Sequence, residues 1–275
     1  MVALAQASKA QQQAVSEPEL RIASSHPIQY YLSLPDGWVA SPSQQSPRKK
    51  WPVVVVIESA ERDFLHAAMA FAKARGQRPF ILVTPLVVTN GGAGYRSVPT
   101  YHYSDQVWDR IQNSGQFTFD MDGINAIMQD VAKQYGGEDK FFVTGFEAGG
   151  HTVWGILFNH PEVVRGAALV CPNYLGRWVS EEKSQKEKGK NEEGGSSSEG
   201  ISSAAERVGL PIRNFIGTKD DLCAAGHPIY TQMQRAMSLA EAHGYKNVSL
   251  VRVEGKGHER LADEVLDYFS SLLQK

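Results

Sequence analysis

The stretch Val53–Ile57 reads "VVVVI", five β-branched residues in a row with no polar residue among them. β-branched side chains favour extended backbone, and successive residues of a strand point to opposite faces of its sheet. A strand that is apolar at every position therefore needs cover on both sides. A sheet flanked by helices provides this, and an antiparallel sheet with one wet face does not.

The rest of the chain has the alternation such a sheet requires. Strand-like runs at "PIQYYLSLP", "PFILVTPL", "KFFVTGF", "GAALVCP", "PIRNFIGT" and "VSLVRVEG" alternate with helical stretches at 61–75, about 120–135, 148–159, 228–243 and from about 259 onward. Strands separated by helices imply crossover connections and a mostly parallel sheet, so the expected class is α/β, with "PIQYYLSLP" as the first strand. In the last helix Leu261, Val265, Phe269 and Leu272 share one face at helical spacing and are expected to pack on the sheet.

Three stretches break the rhythm. Residues 1–25 are rich in Gln, Ala and Ser and are expected to be a flexible N-terminal segment, leaving 26–275 as one domain. Residues 181–204 are charged and then Gly/Ser-rich, with almost nothing to bury, and are expected to be a disordered insertion. Residues 87–115 form a long connection carrying Tyr101, His102, Tyr103 and Trp108, which either line a pocket or anchor the loop.

Composition narrows the partners. A formal net charge of -2 over 275 residues gives no electrostatic reason to expect nucleic acid or an anionic membrane. No apolar run approaches the roughly 20 residues of a membrane span, so a soluble protein with a small-molecule substrate or ligand is expected. Cys171 and Cys223 lie after neighbouring strands and are expected to be two thiols rather than a disulfide. The opening residues contain an Ala-Leu-Ala compatible with the remnant of an export signal, which leaves the compartment open between cytoplasm and export. The oligomeric state is not legible.

In an open parallel sheet, ligands bind beyond the carboxyl ends of the strands. Four positions there carry chemistry. Glu58-Ser59-Ala60-Glu61 follows "VVVVI", Glu147 sits in "GFEAGGH", Asp220-Asp221 follows "NFIGTK", and His258 follows "VEGKG". The order of elbow residue, acid and histidine, with the segments "YLSLPDGW", "KKWPVVVVIESAERD", "KFFVTGFEAGGHTVWGILFNHPEVVRGAALVCP", "GTKDD" and "EGKGHERLADEVLDYF", resembles the esterase branch of the α/β-hydrolase superfamily. Within that branch it is similar to the phospholipase/carboxylesterase and polyhydroxybutyrate-depolymerase-like proteins. The resemblance implies an α/β-hydrolase fold with a mostly parallel central sheet, helices on both faces and no large lid. It also implies that His258 carries protons, that Asp220 orients it with Asp221 next in line, and that Glu147 stands where the nucleophilic serine would. The backbone N–H groups of Ala148 and of the Glu58, Ser59 and Ala60 segment would form the oxyanion side of the pocket.

Glu147 departs from that pattern. Gly145 and Gly149 still permit a sharp elbow, but a carboxylate is ionised without help and would attack an electrophile directly, with His258 activating water for the second step. The oxyanion segment has changed as well, from His-Gly-x-Gly to Glu-Ser-Ala-Glu, and carboxylates there are expected to repel a developing oxyanion. Two functions follow. One is a hydrolase of small esters or related electrophiles with a Glu147–Asp220–His258 site, in which Glu147 is nucleophile or base. The other is a non-catalytic pseudo-hydrolase that binds a small molecule or protein. Glu58, Glu147, His258 and His151 offer carboxylate and imidazole, but no close ligand pair anchors a metal, so neither metal nor cofactor is expected. Glu61 is expected to pair at the surface with Arg62 or Lys50.

Overall fold

The computed structural model describes residues 17–38, 50–89, 96, 100–176 and 205–274. Eight strands form one sheet in the order β1-β2-β4-β3-β5-β6-β7-β8. They are β1 (Glu19–Ile22), β2 (Gln29–Ser33), β3 (Val53–Ile57), β4 (Ile81–Pro85), β5 (Phe141–Phe146), β6 (Val164–Val170), β7 (Ile212–Gly217) and β8 (Val248–Val253). β1 and β2 run antiparallel to each other and β2 runs antiparallel to β4, while the pairs from β4 through β8 are parallel. The helices are α1 (Phe64–Arg75), α2 (Asp105–Ser114), α3 (Gln116–Asp130), α4 (Gly149–Asn159), α5 (Pro228–Ala242) and α6 (Ala262–Leu273).

The all-apolar strand β3 lies between β4 and β5 and is covered on both sides. Val53, Val55 and Ile57 pack into one apolar cluster with Ile124 and Ile127 of α3 and Trp154 of α4. Val54 and Val56 point the other way, into a cluster with Ala67 and Phe71 of α1 and Val265 and Phe269 of α6. The period-two alternation of a strand thus feeds two cores from one pentapeptide. Leu261 and Val265, with Phe269, sit in that second core and Leu272 packs against it, as the helical spacing requires.

The structure corrects several boundaries. "PIQYYLSLP" holds the second strand, because Glu19–Ile22 already forms β1 within the segment expected to be flexible. Leu20 and Ile22 are 49% and 62% exposed, so this edge strand is held by its backbone ladder, and its four-residue polar–apolar alternation is too short to stand out in the sequence. Residues 1–16 and the expected disordered insertion at 181–204 lie outside the described residues.

The 87–115 connection contains a helix, α2, whose N-cap Ser104 accepts a hydrogen bond from the Val107 N–H. Tyr101 and Trp108 are buried and meet edge to face, and the Tyr101 hydroxyl donates to the Val87 carbonyl at 2.6 Å. These aromatics anchor the connection. Its base is also clamped by Asp120 of α3, whose Oδ2 accepts from the Val88 and Thr89 N–H groups at 2.9 and 2.8 Å. Burial pushes the Asp120 carboxyl up to about 7, against the opposing pull of those hydrogen bonds.

Candidate active site

The elbow follows β5. Glu147 is in the left-handed region at φ 48, a conformation that presents the side chain at the strand tops but crowds a Cβ. Two glycines make the turn possible. A Cβ on Gly149 would lie 2.6 Å from the Ile57 carbonyl oxygen, and one on Gly145 would lie 2.8 Å from the Gly149 oxygen. Glycine at 149 therefore lets α4 begin against the end of β3. The elbow is pinned by backbone bonds, from the Glu147 N–H to the Val170 carbonyl at 3.0 Å and from the Asn173 N–H to the Glu147 carbonyl at 2.9 Å.

The Glu147 side chain turns toward the oxyanion segment. Its Oε2 accepts from the Ala60 N–H at 3.3 Å, and its Oε1 lies 3.4 Å from the Asn173 amide nitrogen. The carboxylate thus places one of its own oxygens at an N–H expected to bind a substrate oxyanion. Ala148, whose N–H is the other expected donor, is buried at the start of α4.

His258 Nδ1 lies 2.9 Å from Asp220 Oδ2, joining residues 38 positions apart. The acid's other oxygen, Oδ1, accepts from the N–H groups of Leu222 and Cys223 at 3.0 and 3.2 Å, so the turn after β7 fixes the carboxylate. An ionised carboxylate only accepts, so this pairing puts the imidazole proton on Nδ1 and leaves Nε2 as the basic nitrogen. Gly217 lets the two loops approach, since a Cβ there would lie 2.6 Å from the Gly257 carbonyl oxygen. The His258 ring packs on Phe146, the last residue of β5, with centroids 4.8 Å apart. Asp221 begins the short 3-10 turn that Asp220 caps.

Glu58 differs from its expected role. It is 1% exposed and accepts from Arg260 Nε at 2.9 Å and Nη2 at 2.5 Å. The Ser59 hydroxyl donates to its Oε1 at 2.9 Å. Burial alone would lower the Arg260 guanidinium, but the hydrogen bonds and charge of Glu58, with Asp63 and Glu61, hold it above the ordinary arginine range. Glu58 is therefore a charge-paired structural anion, and the repulsion expected from it at the oxyanion pocket is countered by a half-buried cation. Ser59 is buried and serves that pair. Arg260, two residues beyond His258, thereby ties the histidine loop to the end of β3. Its only signal in the sequence is "GHER", which does not identify a partner 202 residues away. Asn173 was equally silent, a polar residue just after "GAALVCP".

Cys171 and Cys223 form a disulfide, with Cα atoms 5.8 Å apart, which corrects the expectation of two thiols. The turn after β7 folds back on the end of β6, an approach that their place after neighbouring strands allows, and the two sulfurs that meet there are bonded. Among the described residues, the one cluster of potential metal donors is Cys171, Asp220 and Cys223. With its sulfurs bonded to each other and its carboxylate on His258, it has no free thiolate to offer. His151 is buried against Tyr174, in a packing position. Among the described residues, no helix is long and apolar enough to cross a membrane.

No protein-family model and no curated protein sequence matches the chain. Solved structures do match it in shape. Poly(aspartic acid) hydrolase-1 from Sphingomonas sp. KT-1 superposes with a TM-score of 0.58 at 14% identity, covering 94% of this chain and 98% of that one. The poly(3-hydroxybutyrate) depolymerase LpqC from Bordetella parapertussis gives 0.53 at 14% identity, over 90% and 84%. Est1E from Butyrivibrio proteoclasticus gives 0.52 at 11%, over 94% and 100%. With these matches and the strand order β1-β2-β4-β3-β5-β6-β7-β8, the chain has the α/β-hydrolase fold.

Proposed function

We propose that the protein is a hydrolase of small esters or related electrophiles in which Glu147 replaces serine as the nucleophile, His258 is the base and Asp220 its positioning residue. The observation that supports this reading is the division of labour in the Glu147 carboxylate. Oε2 is held by the Ala60 N–H in the oxyanion segment, while Oε1 faces Asn173.

That arrangement favours attack at a saturated carbon over attack at a carbonyl. An ester carbonyl would develop an oxyanion that needs the N–H already used by Oε2. Displacement at a haloalkane or epoxide carbon makes no tetrahedral oxyanion in the first step, because the charge leaves on the halide or on the ring oxygen. Glu147 Oε1 forms the new carbon–oxygen bond as the bond to the leaving group breaks, and the leaving group takes the electron pair. In the second step His258 Nε2 takes a proton from water, and the hydroxide oxygen adds to the Glu147 carboxyl carbon. Charge gathers on Oε2, against the Ala60 N–H. Collapse breaks the bond from that carbon to Oε1, and the departing alkoxide takes the proton back from His258. Asp220 holds Nδ1–H and stabilises the imidazolium between these transfers.

The test is a panel of activated esters, lactones, epoxides and haloalkanes offered to the native protein and to Glu147→Gln, His258→Ala and Glu147→Ser. Turnover of one class, abolished in both Glu147→Gln and His258→Ala, is the expected result. No turnover anywhere, with none gained in Glu147→Ser, would overturn the catalytic reading and leave a binding role for the fold.

A further inference from the structure

The disulfide lies where the two halves of the site meet. Cys171 follows β6, directly after Val170, whose carbonyl accepts the Glu147 N–H, and two residues before Asn173. Cys223 lies in the acid turn, and its own N–H donates to Asp220 Oδ1 at 3.2 Å. Both half-cystines are buried, and the bond closes 52 residues of chain. Cys171 is also in the left-handed region at φ 44, a conformation that L-residues rarely adopt and that persists only where neighbours enforce it. One covalent bond thus joins the strand that supports the elbow to the turn that supports the acid.

We infer that the Cys171–Cys223 bond is a redox-sensitive positioning cross-link that holds Asp220 in the orientation His258 needs. The inference rests on the proposed roles of Asp220 and His258. The donor atoms of Cys171, Cys223 and Asp220 all lie within 4.8 Å of one another. While the sulfurs are bonded to each other they carry no proton. A dithiol reductant would give them two electrons and two protons, breaking the sulfur–sulfur bond and becoming a disulfide itself. Each new thiol would be released from the fixed sulfur–sulfur geometry and present an S–H donor beside the carboxylate, in competition with His258 for Oδ2. A thiolate would instead repel the carboxylate. Either way the acid would lose the single orientation that fixes the imidazole tautomer.

The experiment uses the full chain in three states: oxidised, treated with dithiothreitol, and reoxidised. The double variant Cys171→Ala/Cys223→Ala stands beside them. Mass spectrometry without reductant should show the oxidised protein two hydrogens lighter than the dithiol form. The ring Nδ1–H resonance of His258, assigned by its loss in His258→Gln, should be downfield and protected in the oxidised state. It should shift or vanish on reduction and in the double variant, and return on reoxidation. With a substrate from the panel, kcat should fall on the order of 10- to 100-fold while KM stays within about twofold, the mark of a misplaced group rather than a damaged pocket.

Free thiols in protein prepared under air would overturn the inference, as would a bond that stays closed in excess dithiothreitol. An unchanged His258 resonance in a folded double variant would do the same. Should the double variant not fold, the dithiothreitol arm on the native chain decides. A His258 resonance that follows the redox state in a protein that turns over no electrophile would uphold the cross-link and overturn the proposed activity, so the two failures are distinguishable.

Discussion

Glu58 and Glu147 are two glutamates at the carboxyl ends of neighbouring strands β3 and β5, and their surroundings have opposite character. Glu58 is sealed from solvent and engaged by both an Arg260 fork and the Ser59 hydroxyl at 2.9 Å or less. Glu147 is only partly buried, its side-chain partners stand at 3.3 and 3.4 Å, and its backbone is held at φ 48. A carboxylate whose lone pairs all face a guanidinium has no reactive direction left, whereas one held loosely through neutral N–H groups keeps one. Two residues of one type at this end of the sheet are thus set apart by their partners.

The largest consequence to break this comparison is kinetic. On whichever electrophile the protein turns over, His258→Ala should lower single-turnover hydrolysis of the enzyme-bound intermediate by about 10²- to 10⁴-fold if His258 is the base proposed above. Stopped-flow or quench kinetics would read it, and a change of less than a few fold would place the base elsewhere.

Next in size is stability. Arg260→Ala strips the buried Glu58 carboxylate of its guanidinium partner and should cost about 3 kcal/mol in denaturant unfolding. Glu147→Gln should stay within about 0.5 kcal/mol of the native chain, as expected for a partly exposed site. Equal costs for the two would erase the distinction between a structural and a reactive glutamate.

Asp120 sharpens it, as a buried carboxylate held by N–H groups with its carboxyl pushed up to about 7. Its folded-state value lies above the unfolded one, so its contribution to stability is fully present below about pH 4 and is lost as pH rises through about 7. Asp120→Asn should remove that decline, a difference on the order of 3 kcal/mol between pH 4 and pH 7.5 in paired unfolding curves. Parallel curves for the two proteins would contradict it.

The smallest effect is at the elbow itself. Glu147→Gly relieves the left-handed strain and should raise stability by about 1 kcal/mol while abolishing turnover. A loss of stability instead would mean that the carboxylate's hydrogen bonds outweigh the strain.

How much of this was readable beforehand follows the same physics. The sheet was legible because "VVVVI" and its neighbouring runs report burial on two faces directly, and burial is a property of a residue's own side chain. Glu147, Asp220 and His258 were legible as positions, each placed just after a strand by glycine-bearing turns. β1 was not, because its alternation of Glu19, Leu20, Arg21 and Ile22 is only four residues long and the strand is held at an exposed edge by backbone bonds. Arg260, Asn173 and the Cys171–Cys223 bond were missed for a different reason. Each acts through a partner between 26 and 202 residues away, and pairing across crossovers is set by the assembled sheet.

The most direct test of the central claim is a single turnover in ¹⁸O-labelled water with enzyme in excess over a reactive epoxide or haloalkane, followed by mass analysis of the product and of the peptide containing Glu147. If Glu147 is the nucleophile, the product alcohol takes its oxygen from the carboxylate, and the label appears in Glu147. Label in the first-turnover product with none in Glu147 would contradict the account, since water would then have attacked the substrate directly.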